Sequence, residues 1–445
     1  MAALKITKMA LNSVLALMSE RWDVFVPSPS PAPGGPSGFR LFEPRPMPAP
    51  GKPGPSERDS SVNRQTCDED TLWNGTGQGG QKGRDRENHL PEERLPQFLR
   101  RVLTVKPLKE LFFPRSEPIL GYCVDGAFGG NGDGTGVSVF MPEGVLPGKP
   151  RVVFGARPCD AASLTVLDRV FADEAYPDDF YISRRKNTII VGLGCNVPAP
   201  TCFCPATGGD PFGTAGLDVL AYDLPALDGD GSSQGHYLMK AVTREGEALL
   251  GFLSEAHLGE GPSESDERAC MALEERARKA IAAGLPADTQ SLGRVLGGIF
   301  NHPYWATLHE KCLGCAACTY LCPTCHCFDI SEEPDPGASR SGGESPKGGP
   351  ERPRLTGVRV RNWDSCMFPI FTLHTSGHNP RPTGLERVRQ RVMHKFYYFP
   401  ENFGAVACVG CGRCVKYCPV NLDIREVISH IAALGGTGVA ESISA

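Results

Sequence analysis

Two cysteine runs constrain this chain more than any other feature in it. Cys312, Cys315, Cys318 and Cys322, followed by Pro323, have the form C-x2-C-x2-C-x3-C-P. Cys408, Cys411, Cys414 and Cys418, followed by Pro419, repeat it with unchanged spacing. A cubane cluster needs thiolates aimed at each of its irons. Three cysteines spaced by two residues wrap one corner of the cube, and the fourth, on the helix that follows, faces away. In two-cluster ferredoxins that fourth cysteine ligates the other cluster. The spacing therefore predicts one [4Fe-4S] cluster on Cys312, Cys315, Cys318 and Cys418, and a second on Cys408, Cys411, Cys414 and Cys322. Such a crossing ties segments about 90 residues apart into one unit. Gly314, Gly410 and Gly412 let the backbone approach the clusters and aim N–H groups at sulfur, which tunes potential. Zinc modules generally use two C-x2-C pairs instead.

The cysteines number 18 in 445 residues. In a chain without a recognisable export signal this argues for metal ligation over disulfides. A second group comprises Cys159 after a short strand, Cys195 at the end of the next, and the C-x-C pair Cys202 and Cys204. These can converge on one edge of a sheet, as ligands of a third iron–sulfur cluster or of zinc; ligand softness alone does not separate the two. Asp160 is a spare oxygen donor beside them. A further set, Cys325, Cys327 and Cys366 with His326, could complete another metal site or simply pack as thiols around the clusters. Cys67, Cys123 and Cys270 stand apart and receive no role.

The order of elements predicts an α+β or α/β architecture, an N-terminal α/β domain followed by an α-helical ferredoxin-like domain with two clusters. Residues 1–43 read as a helix over Met1 to Trp22, with a cap at Thr7, and short strands packing on the α/β domain. Residues 44–95, rich in Pro, Gly and charge, read as a disordered insertion. Residues 96–260 form the α/β domain: strands at Arg151–Gly155, Thr188–Leu193, Leu217–Tyr222 and Tyr237–Val242, with a helix from Asp160 to Phe171. Residues 261–434 form the helical domain, interrupted by a second disordered insertion at 331–355. That domain is expected to be helical from Trp363 to Phe399, with a capping box at Thr383 and Glu386, and to close with a helix from Leu422 to Leu434. Residues 435–445 read as a flexible tail.

A net charge of −5 shows no bias toward nucleic acid. No apolar run approaches the roughly 20 residues of a membrane span, so the chain is expected to be cytoplasmic. The glycines from Gly126 to Gly136 do not join a strand to a helix as a dinucleotide fingerprint must. No P-loop appears. His302, His309, His374, His378 and His394 are scattered and read as structural. The basic helix with Arg387, Arg389, Arg391 and Lys395 reads as a solvated face, or as one lying near the negatively charged clusters. The chain thus stores and passes single electrons but has no site that accepts a hydride and no catalytic residue, which points to partners.

At these residues the sequence resembles the 4Fe-4S dicluster proteins, namely the iron–sulfur beta subunit of soluble sulfhydrogenases and the A subunit of anaerobic sulfite reductase. The matching pieces are Gly155 to Asp160, Cys202-Phe203-Cys204, Cys312 to Asp329, Trp363 to Cys366, His394-Lys395-Phe396, and Cys408 to Pro419 with Asp423. The insertions depart from the pattern. The resemblance implies an electron relay in anaerobic metabolism. It would run between a flavin-containing NAD(P)H-oxidoreductase subunit and a hydrogenase, sulfite reductase or heterodisulfide-reductase-type partner. Two rivals stand beside it: a stand-alone enzyme reducing sulfur or sulfite at Cys325, Cys327 and Cys366, and a zinc-stapled assembly module without redox activity.

Overall fold

The computed structural model describes residues 2–28, 37–42, 103–125, 136–142, 145–225, 235–282, 289, 292–335 and 354–436. The expected insertion at 44–95, Cys67, most of the Gly126 to Gly136 stretch and residues 437–445 lie outside these. Mixed helices and sheets make the chain an α+β protein.

The larger sheet has seven strands: β1 (Ala3–Thr7), β2 (Asp23–Ser28), β3 (Gly38–Leu41), β6 (Arg151–Ala156), β7 (Thr188–Leu193), β8 (Val219–Leu224) and β9 (His236–Ala241), in the order β1-β9-β8-β7-β6-β2-β3. Its centre, β2-β6-β7-β8, is parallel, and its edges are antiparallel. Helices cover both faces. Leu11–Arg21 and Arg244–Glu255 pack on one, and Pro158–Phe171 and Glu264–Ala282 on the other. Burial on both faces explains why β6 and β7 read as near-continuous apolar runs instead of alternating ones.

The N-terminus departs from expectation. Ala3–Thr7 is a strand, and the helix begins only at Leu11. Leu4 and Ile6 are buried while their neighbours are not, a period-two pattern that fits the edge beside β9. Thr7 caps the intervening Lys8–Ala10 turn, its side chain accepting from the Ala10 N–H. β1, β2 and β3 are therefore part of the sheet itself instead of packing on it.

The smaller sheet is antiparallel, comprising β4 (Ser116–Asp125), β5 (Gly136–Phe140), β10 (Phe328–Pro334) and β11 (Arg354–Trp363) in the order β10-β11-β4-β5. It corrects two expectations. The second insertion starts and ends inside strands, since residues 331–334 belong to β10 and 354–355 to β11. Trp363 to Phe399 is not continuously helical, because β11 occupies its start and the helix begins at Gly384. The sheet also pairs β4 with β11 across the expected boundary at 260/261.

The helical part gathers Tyr304–Lys311, Gly384–Met393 and Ile424–Gly436 around an apolar core that includes Trp305, Val388, Val392, Phe396 and Ile428. A small cluster of Val166, Phe399, Ala407, Val409 and Cys411 joins it to the helix Pro158–Phe171 of the larger sheet.

Candidate metal centres

The second cysteine group sits at the carboxyl ends of parallel strands, where open α/β sheets bind ligands. Gly155, with φ of 85°, makes a bulge against β7 just before β6 ends. The chain then turns into the helix Pro158–Phe171 with Cys159 in its first turn. Arg157 is buried and donates to the Leu193 and Gly194 carbonyls at 3.2 and 3.0 Å. It thereby fastens the end of β7, and so Cys195, beside Cys159. Cys159, Cys195, Cys202 and Cys204 line one cavity.

That group is seated on the second cysteine run. The Phe203 N–H donates to the Gly410 carbonyl at 2.8 Å, and Cys202 Sγ approaches the Cys411 carbonyl at 3.7 Å. Gly410 and Gly412 have φ of 60° and 75°. A Cβ on Gly410 would meet the Cys204 backbone, and one on Gly412 would collide with the Thr201 carbonyl. Asp160 is no spare ligand. It is buried and gripped by Arg413, at 2.8 and 2.9 Å through its two oxygens. This ion pair fixes the second run against the helix that carries Cys159.

A second cavity is lined by Cys322, Cys408, Cys411 and Cys414, and a third by Cys312, Cys315, Cys318 and Cys418. Cys411 belongs to the wall of the first and second cavities, and Cys414 to that of the second and third. N–H groups already point at sulfur: Gly314 to Cys312 at 3.4 Å, Gly410 to Cys408 at 3.5 Å and Leu422 to Cys418 at 3.2 Å. The two runs are conformational copies. Gly314 matches Gly410 in φ, and Ala316 takes a φ of 62° where the other run has Gly412.

The surroundings carry buried basic side chains. Lys395, 4% exposed, donates to Cys322 Sγ at 3.2 Å, to Thr324 Oγ1 at 3.3 Å and to the Ala407 carbonyl at 3.1 Å. Burial works against its charge, yet the neighbouring cysteine sulfurs, Cys322 first, hold it protonated well above its ordinary range. Lys109 donates to the Cys325 carbonyl at 2.6 Å and lies 3.9 Å from the centre of the Trp363 ring. Burial pulls it down to about 8 against the attraction of the Cys325 and Cys322 thiolates. Burial also lowers His326 to about 4 and His394 to about 3, so both imidazoles are neutral near pH 7. Without metal, burial pushes Cys202 and Cys408 up to about 12, so loading these cavities releases protons.

Cys325, Cys327 and Cys366 line none of these three cavities. Cys325 hydrogen-bonds Cys322 and holds it well below the ordinary thiol range, and Cys366 hydrogen-bonds Cys327 and brings it down to about 6. Cys123 and Cys270 are buried in separate packing environments, as ordinary thiols. The expected solvated face of the basic helix is only partly so, since Arg391 and Lys395 are buried against the cysteines. Sequence reasoning assigned these two no definite role. Their i, i+4 spacing opposite the charged surface was the available signal.

Residues 311–422 match the family model described as a 4Fe-4S dicluster domain. Sulfhydrogenase 2 subunit beta of Pyrococcus furiosus is 32% identical over 280 residues, which cover 63% of this chain and 73% of that one. The chain belongs to the 4Fe-4S dicluster family of sulfhydrogenase beta subunits. A member of this family carries two [4Fe-4S] clusters and serves as an iron–sulfur electron-transfer subunit. The dicluster match takes in both cysteine runs, together with the smaller-sheet strands β10 and β11, Cys366 and the helix bearing Arg391. The second cysteine group lies outside it. No helix among the described residues is long and apolar enough to cross a membrane.

Proposed function

We propose that this chain relays single electrons along three cysteine-lined centres arranged in sequence. Cys312, Cys315, Cys318 and Cys418 hold one [4Fe-4S] cluster, Cys408, Cys411, Cys414 and Cys322 the second, and Cys159, Cys195, Cys202 and Cys204 a third. The observation that carries this reading is the sharing of walls. Cys411 borders the cavities of the second group and the second run, and Cys414 those of the two runs. Neighbouring cavities thus share a cysteine wall. The clusters supply reversible one-electron storage when bound. The chain supplies the thiolates, the N–H groups on sulfur, the apolar packing around the helices, and the Lys395 ammonium on Cys322.

At its two ends the relay would connect a flavin-containing NAD(P)H-oxidoreductase subunit with a hydrogenase, sulfite reductase or heterodisulfide-reductase-type subunit. The name of the Pyrococcus relative, a sulfhydrogenase beta subunit, favours a hydrogenase-type assembly.

The test is anaerobic purification from the native host, with every accompanying subunit identified and iron counted. The expected result is a flavoprotein and a hydrogenase-type or related reductase subunit, with about 12 irons per copy of this chain, four for each centre. About 8 irons would remove the third cluster, and a chain isolated alone that itself turns over sulfur or sulfite would replace the relay with an enzyme.

A further inference from the structure

Arg391 lies on the helix Gly384–Met393 and is 5% exposed. Its Nε is buried without a hydrogen-bond partner among the described residues. Its neighbours on the same helix are occupied. Arg387 donates to the Arg381 carbonyl, and Arg389 donates to the Phe300 carbonyl and stacks on the Phe300 ring at 3.7 Å. Lys395, one turn on, is spent on Cys322, Thr324 and Ala407. Of these cations only Arg391 borders both run cavities, the one with Cys312, Cys315, Cys318 and Cys418 and the one with Cys322, Cys408, Cys411 and Cys414.

A buried guanidinium N–H without an acceptor is costly. The guanidinium also carries five donors in a rigid fork, more than one partner can use. The cysteine-lined cavities on either side of it are where acceptors can be supplied.

Building on the ligand reading above, we infer that Arg391 is a shared counter-ion and hydrogen-bond donor for both clusters of the dicluster unit, setting their two potentials together. Each cluster becomes more negative on reduction, so a fixed positive charge beside it in a low-dielectric interior favours the reduced form and raises the potential. Lys395 does the same for the Cys322-bound cluster alone. Arg391 acts through the clusters, as a positioning and tuning residue.

The experiment is EPR-monitored redox titration of the full chain with its clusters, comparing the unaltered protein with Arg391→Met and Lys395→Met, iron being counted in each. The expected result is that Arg391→Met lowers two midpoint potentials and Lys395→Met lowers one. With iron retained, movement of one potential or none in Arg391→Met overturns the shared role. If Arg391→Met loses iron instead, loss of about 8 atoms, four for each of two centres, supports it and loss of about 4 overturns it. An unaltered chain without two [4Fe-4S] signals would remove the ligand reading itself. Two signals indifferent to Arg391 would remove only this inference.

Discussion

Ala316 and Gly412 occupy the same place in two copies of one loop, with φ of 62° and 75°. The left-handed conformation costs a residue with a Cβ about 1 kcal/mol, and the first run bears that cost at Ala316. An alanine is therefore conformationally admissible at Gly412, and what forbids it there is the Thr201 carbonyl. Gly412→Ala should destabilise the chain by about 1–3 kcal/mol beyond the backbone term, the usual cost of overpacking, and should loosen the Thr201–Cys204 loop first. Anaerobic thermal unfolding with iron counting measures both. Unchanged stability would mean that the loop is not seated on the second run. The glycines themselves were legible in the sequence. Their second duty, making room for a loop some 200 residues away in the chain, was not, because nothing in local spacing encodes a long-range contact.

The helix Gly384–Met393 is the element that brings cations to the cysteines. Its start was legible: Thr383 and Glu386 form the capping box their spacing predicts, with the Thr383 N–H donating to Glu386 at 2.9 Å. Its end was not. From His394 to Tyr398 the chain widens into a π-turn, a form frequent at functional sites, and Lys395 falls within it. Thr383→Ala should cost about 1 kcal/mol, the typical price of a lost N-cap, while leaving the iron content intact, because the cap is exposed and remote from the cavities. Chemical denaturation of the loaded protein would measure it; a loss of iron at undiminished stability would contradict this view of the cap. The helix reads as polar on most of its surface, so sequence alone could place Arg391 and Lys395 on water or on the clusters with equal ease. Packing of Val388 and Val392 into the core settles which face turns inward.

Across the whole molecule, Cys322 stands in the cavity of the second run and Cys418 in that of the first, so the two runs share walls both ways. Cys322→Ala is expected to remove or alter the cluster of Cys408, Cys411 and Cys414 and to spare that of Cys312, Cys315 and Cys318, read by iron count and EPR; the opposite pattern would reverse the ligand pairing. The smaller sheet binds the same halves in another way, β4 from before the runs pairing with β11 between them. By itself the sequence determined the two clusters, because ligand spacing is a local property that cube geometry dictates, and it determined the parallel strands whose ends carry Cys159 and Cys195, because burial on both faces writes continuous apolar runs. Only the tertiary structure decided that β1 is a strand, since five residues of mild alternation become an edge only where β9 offers partners. Only the tertiary structure, too, decided that Asp160 belongs to Arg413 and that a single arginine stands between the two run cavities, since burial of a charge depends on what the rest of the chain packs around it.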